Sequence, residues 1–128
     1  MIAIDTNVLV RLLLADDPAQ TRRARALAES DRLFVSVTVL LETEYVLRAL
    51  YRIPFADIGS GFRTLLGAVD VEDRAAVERA LDLAAHGVDF ADALHVARAG
   101  HTTAFATFDT KLLERAKKLG VHPPVRQP

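Results

Sequence analysis

The side chains in this sequence with chemistry to offer are acids: Asp5, Glu42, Asp92 and Asp109. Asp5 and Asp109 each close an apolar, strand-like run, residues 1–4 and 102–108, and each precedes a helical pattern. In open parallel sheets ligands bind beyond the carboxyl ends of the strands, at such handover points. Aspartate also caps helices there, but two strand-end acids from opposite ends of the chain point to a shared site. A helical wheel at about 3.6 residues per turn sets Glu42 beside a stripe of Val39, Val46 and Leu50. The same wheel sends Glu44 to the far side, with Arg48 four residues on as a surface ion pair. A carboxylate at the margin of an apolar face needs a partner or water. Asp89 and Asp92 share the first turn of another helix, where the positive dipole end favours acids. Asp89 fits a cap. Asp92 precedes Ala93, Leu94, Val96 and Ala97, a helix buried on more than one side, which turns Asp92 into a sheltered rim.

Carboxylates gathered without a cation repel one another and raise one another's pKa values. The chain has no cysteine, and His86, His95, His101 and His122 follow no metal-binding spacing. The available ligands are therefore hard oxygens, suited to Mg²⁺ or Mn²⁺ rather than zinc. Mg²⁺ binds through one or two carboxylates together with waters and substrate phosphates, which suggests chemistry on phosphate esters. In two-metal sites the ions stand roughly 3.5–4 Å apart. His95, three residues after Asp92, could hydrogen-bond it or touch substrate, or be a partly buried residue with no chemical role.

The elements that must hold these acids alternate. The pattern predicts strands over 1–4, 33–37, 102–108 and, limited by Pro123 and Pro124, 121–125. Helices are expected over 8–13, 18–30, 39–52, 55–66, 73–85, 89–99 and 110–119. This alternation implies an α/β fold, a three-layer α/β/α sandwich around a central parallel sheet of about four to five strands. Residues 1–128 are the size of one domain. Hydrophobic residues make up 51%, enough for one core, and no apolar run approaches the ~18 residues of a membrane helix. A start without a secretory signal and the lack of cysteine predict a cytoplasmic protein without disulfides. The net charge of −1 leaves contact with RNA to local arginines, Arg22, Arg23 and Arg25 or Arg48 and Arg52, which otherwise are solvated helix faces.

The runs Ile4-Asp5-Thr6-Asn7, Leu40-Leu41-Glu42-Thr43-Glu44, Asp92-Ala93-Leu94-His95-Val96-Ala97 and Thr107-Phe108-Asp109, in this order and at these separations, strongly resemble the PIN domain family. Within it the length and order look like VapC-type toxins of bacterial toxin–antitoxin pairs. The resemblance implies an Mg²⁺- or Mn²⁺-dependent endoribonuclease that cuts the phosphodiester backbone of a cellular RNA. Asp5, Glu42, Asp92 and Asp109 would hold the metal and polarise the attacking water, and Thr6, Asn7 and Thr107 would support them by hydrogen bonds. It also implies a homodimer and a cognate antitoxin whose tail lies in a groove; segments 39–51 and 55–66 are the candidates for that groove. Asp89 is an additional acid that could cap, relay or bind.

Other classes fit less well. A phosphorylatable receiver domain shares the length, the alternation and a lysine near the last strand, here Lys111. It needs a phosphoacceptor ending a mid-chain strand, and Asp57, Asp70, Glu72 and Asp73 follow helical or loop-like sequence. A haloacid-type phosphatase would need a second aspartate after Asp5. Retention of all four acids argues against a non-catalytic PIN-like scaffold.

Overall fold

A short apolar strand followed by an aspartate sets the pattern of the first unit. In the computed structural model, which describes all residues from Met1 to Pro128, β1 (Ile2–Ala3) passes through Ile4 and Asp5 into α1 (Thr6–Leu13). A short turn then leads to α2 (Pro18–Ser30), which opens on a proline with Asp17 as its cap; proline costs nothing where the helix lacks a partner for that N–H. Next come β2 (Leu33–Val35), α3 (Val37–Tyr45), a π-helical turn over Val46–Leu50, α4 (Phe55–Leu66) and β3 (Asp70–Val71). The three strands form one parallel sheet in the order β1-β2-β3, with Ile2 opposite Leu33 and Phe34 opposite Asp70. Leu9, Val35, Leu40, Leu47 and Phe62 are buried in this unit, which spans Met1–Glu72.

The second unit, Asp73–Pro128, is built on a pair of helices, α5 (Arg74–Ala85) and α6 (Phe90–Arg98). Ala76, Val77, Ala80, Leu81 and Ala84 of α5 and Phe90, Ala93, Leu94, Val96 and Ala97 of α6 are buried. The small alanines among them let the two helices approach closely. The turn between them passes through Gly87 at φ +95°, a conformation other side chains rarely adopt, so the position favours glycine; a Cβ there would meet only the movable tip of the Arg115 side chain. After it come β4 (Phe105–Ala106), α7 (Thr110–Leu119) and β5 (Val125–Arg126), with β4 and β5 paired in parallel.

The chain is thus α/β with parallel strands, as the pattern implies. Its five strands pair as three and two rather than as one continuous ladder, because each is only two or three residues long. The two-residue β3 has no apolar run to announce it. The strand expected over 102–108 contracts to β4 because Thr102 donates both its N–H and its hydroxyl to Ala99 O, making a turn instead. The strand expected over 121–125 shifts to Val125–Arg126 because Pro123 and Pro124 have no N–H for a ladder. The helix expected over 39–52 starts earlier, at Val37, since Ser36 accepts from the N–H of Val39.

Candidate active site

Asp5 lies between β1 and α1, is exposed, and accepts the N–H of Thr6 through Oδ1 at 2.8 Å. Its Oδ2 makes no hydrogen bond with the protein. Support from Thr6 comes from the backbone alone: the Thr6 hydroxyl is buried and has no partner. Asn7 is exposed and makes no bond to Asp5, because successive first-turn side chains point to different faces of the helix. The expectation that both side chains brace Asp5 is corrected accordingly.

Asp109 repeats the design at the start of α7. Its Oδ1 accepts the N–H groups of Lys111 at 2.9 Å and Leu112 at 3.1 Å, and Oδ2 again makes no hydrogen bond. Thr107 Oγ1 accepts the N–H of Asp109 at 3.0 Å. Capping and ligation are therefore not alternatives for these two aspartates. The cap bonds use one oxygen of each exposed carboxylate and leave the other without a hydrogen bond.

Asp92 is different. It is half-buried in the first turn of α6, and Asp89 caps that helix by accepting the Asp92 N–H through Oδ1 at 3.1 Å. Burial pushes the Asp92 carboxyl above its ordinary range, and the negative charges of Asp89 and Asp109 push it further, while His95 opposes them. The second unit thus brings Asp89, Asp92, Asp109 and His95 within electrostatic reach of one another. His95 is exposed on α6, not partly buried.

Glu42 and Glu44 exchange the places the helical wheel gave them. Glu42 is exposed and makes no hydrogen bond, whereas Glu44 is 3% exposed and accepts Arg48 Nε at 2.7 Å. The buried face of α3 is Val37, Leu40, Thr43 and Glu44, continued by Leu47. Val39 and Val46 are only partly covered, and Leu50 is 70% exposed. The buried face is already set before the π-helical turn, which lies downstream of both glutamates; the turn accounts only for Leu50, because a widened turn inserts one residue and rotates later side chains off the earlier stripe. Residue spacing alone carries no mark of that turn.

Asp5 and Glu42 belong to the first unit, Asp92 and Asp109 to the second. Within neither unit do three or more His, Asp or Glu side chains form a group able to hold a metal ion by themselves. The donor chemistry still fits a hard divalent cation. All four acids offer oxygen, two leave an exposed oxygen uncommitted, and one stands among like charges. Mg²⁺ needs only one or two carboxylates, taking its remaining ligands from waters and phosphates.

The sequence profile of the PIN domain matches residues 2–119. This chain belongs to the PIN domain family. The match runs through both units. Among solved structures, this PIN domain is similar to VapC20 of Mycobacterium tuberculosis, a toxin described as cleaving the sarcin–ricin loop, at 23% identity over 100% of both chains with a TM-score of 0.44. It is also similar to VapBC2 of Rickettsia felis, solved with a DNA fragment from its promoter, at 16% identity over 100% of this chain and 99% of that one with a TM-score of 0.39. No curated protein matches it as a relative. No helix of this PIN domain is long and apolar enough to cross a membrane.

Proposed function

We propose that this PIN domain is an Mg²⁺- or Mn²⁺-dependent endoribonuclease, the toxin of a type II toxin–antitoxin pair of the VapC kind, with Asp5, Glu42, Asp92 and Asp109 as the acids that hold the metal. PIN domains are nucleases. The observation that carries the reading is the Asp92 carboxyl, sheltered beside Asp89 and Asp109 with no cation of the chain bonded to it. A fold has no reason to keep such repulsion unless a positive group relieves it.

A bound divalent ion would supply Lewis acidity toward a phosphoryl oxygen and lower the pKa of a water. The chain's own contribution is to place oxygens. The Thr6 N–H holds Asp5, the Lys111 and Leu112 N–H groups hold Asp109, and each carboxylate presents Oδ2. Asp92 carries the charge least well solvated, and Glu42, exposed on α3, adds the remaining carboxylate. His95 can donate to Asp92 or to a substrate phosphate, and Asp89 acts through its cap of α6 and its charge.

The same reading gives the enzyme an RNA substrate, a homodimeric assembly, a cytoplasmic setting and an antitoxin partner. The antitoxin surface narrows on α3 and the π-helical turn, where Tyr45, Leu50 and Tyr51 are exposed. Phe62 of α4, once a candidate for the groove, is 1% exposed and belongs to the core. Leu50→Asp should weaken antitoxin binding at least tenfold by leaving a charge in an apolar contact; unchanged affinity means a different surface.

Comparing wild type with Asp5→Asn on total and transfer RNA, with Mg²⁺ and with EDTA, tests the activity. Cleavage is expected only in the wild type with Mg²⁺. Cutting that persists in EDTA or survives the substitution refutes the mechanism.

A further inference from the structure

Helices α1 and α2 flank an open groove of about 540 Å³. Its lining includes the guanidiniums of Arg11 and Arg23 and the amides of Asn7 and Gln20, over apolar Ala24 and Leu27, and it contains no carboxylate. Arg11 is held in place: Nε donates to Gln20 Oε1 at 2.8 Å and Nη1 to Asp16 Oδ1 at 2.9 Å. Arg23 makes no hydrogen bond or ion pair and is exposed. Because a four-residue turn joins the two helices, they run as an antiparallel hairpin whose register the Arg11–Gln20 bond sets. Arg23 therefore lies toward the end of α1 that Asp5 caps, and Asn7 is only two residues from Asp5, about 3 Å along the helix axis.

We infer that this groove binds the phosphodiester backbone of single-stranded RNA beside the cleaved bond, with Arg23 as the positioning residue that takes a phosphate. The inference rests on the ribonuclease reading for its substrate class, but its observations are the groove's own. A net charge of −1 means that no global field gathers a polyanion, so attraction must come from a local group such as Arg23, whose charge no acid of the chain answers, in a groove whose lining holds no carboxylate. A guanidinium matches phosphate oxygens in bidentate geometry. Arg11 is pre-organised, with its charge partly answered by Asp16; Arg23 keeps its whole donor set for a ligand. The apolar floor accommodates a ribose without penalty, and the Asn7 and Gln20 amides can pair with sugar hydroxyls.

The test measures binding of a short labelled single-stranded RNA to the full chain in EDTA, across a salt series, for wild type, Arg23→Gln and Arg23→Lys. Arg23→Gln should weaken binding about tenfold, as loss of a charged hydrogen bond does. It should also flatten the plot of log K against log salt by about 0.7, the value of one phosphate contact on a single strand. Arg23→Lys should keep the slope and lose only part of the affinity. With Mg²⁺ present, the loss should fall on KM rather than kcat. A residue that merely supported the fold would not move the salt slope. An unchanged slope and affinity in Arg23→Gln overturn the inference, as does a loss confined to an acidic polyglutamate peptide, which would make the groove a protein-docking site. Arg23-dependent binding without any Mg²⁺-dependent cleavage would leave the groove standing and refute the ribonuclease reading; cleavage with an indifferent Arg23 would do the reverse.

Discussion

Helices α3 and α6 are each nine residues long, and each shelters a carboxylate, but they treat it in opposite ways. Glu44 of α3 is buried to 3% exposure and is answered within its own helical segment by Arg48, whose guanidinium also lies 5.9 Å from the centre of the Tyr45 ring. Asp92 of α6 is only half-buried, yet its charged neighbours from the same helix start and from α7 are acids, with His95 alone opposing them. A carboxylate that serves the fold comes with its counter-charge in the sequence. In the proposed nuclease, one left among like charges is completed by the metal, which is why that reading builds on Asp92 and not on the more deeply buried Glu44.

Activity gives the largest expected separation. Asp92→Asn should lower kcat/KM for RNA cleavage about 10³-fold, roughly 4 kcal/mol of transition-state stabilisation. Glu44→Gln should stay within a few-fold of wild type when both are measured at one Mg²⁺ concentration on one labelled RNA. If Glu44→Gln lost as much, the distinction between the two carboxylates would be broken.

Stability reverses the ranking. Arg48→Met leaves Glu44 buried without its counter-charge, and removing one partner of a sheltered pair costs several kcal/mol when both are dry. Arg48 is 45% exposed, so solvent softens the loss to about 2 kcal/mol, read as a lower urea midpoint with unchanged m. Adding Glu44→Leu should return part of that loss, because the orphaned charge goes with it. Strict additivity of the two substitutions would mean that the pair is not what holds the turn.

The contrast between α3 and α6 also shows what the sequence could and could not reveal. Asp5, Asp89 and Asp109 are readable as caps because a cap is a local event, set by a side chain and an N–H one to three residues away. The sheltered position of Asp92 follows from the apolar residues after it. Glu42 and Glu44 were misplaced on the helical wheel because the buried face of α3 is fixed by the Ser36 cap and by Glu72, whose Oε1 accepts the N–H of Val37 at 3.0 Å from 35 residues away. The π-helical turn then breaks the period on which the wheel depends. The pairing of Arg11 and Arg23 around one groove was equally hidden. Among Arg22, Arg23 and Arg25 nothing local says which one faces α1; only the hairpin register decides. Short strands such as Asp70–Val71 were invisible because two residues of ladder leave no alternation to count.

The smallest effect is the most diagnostic, because it separates charge from shape at Asp92. The folded carboxyl is raised above its ordinary range, so its ionised form destabilises the folded state relative to the unfolded one. That penalty is fully present above the raised folded value. It disappears as pH falls toward about 4, where the unfolded carboxyl also becomes protonated. Asp92→Asn carries no such charge and should be more stable than wild type at pH 7. The gain should be a few tenths of a kcal/mol, because solvent screens a half-exposed group. Thermal melts should show the two proteins converging as pH is lowered. They should converge again at pH 7 when Mg²⁺ is added, because a cation bound only by the folded wild type stabilises it by mass action. A gap that ignored both pH and Mg²⁺ would place the cause in packing, and the repulsion at Asp92 would no longer argue for a metal.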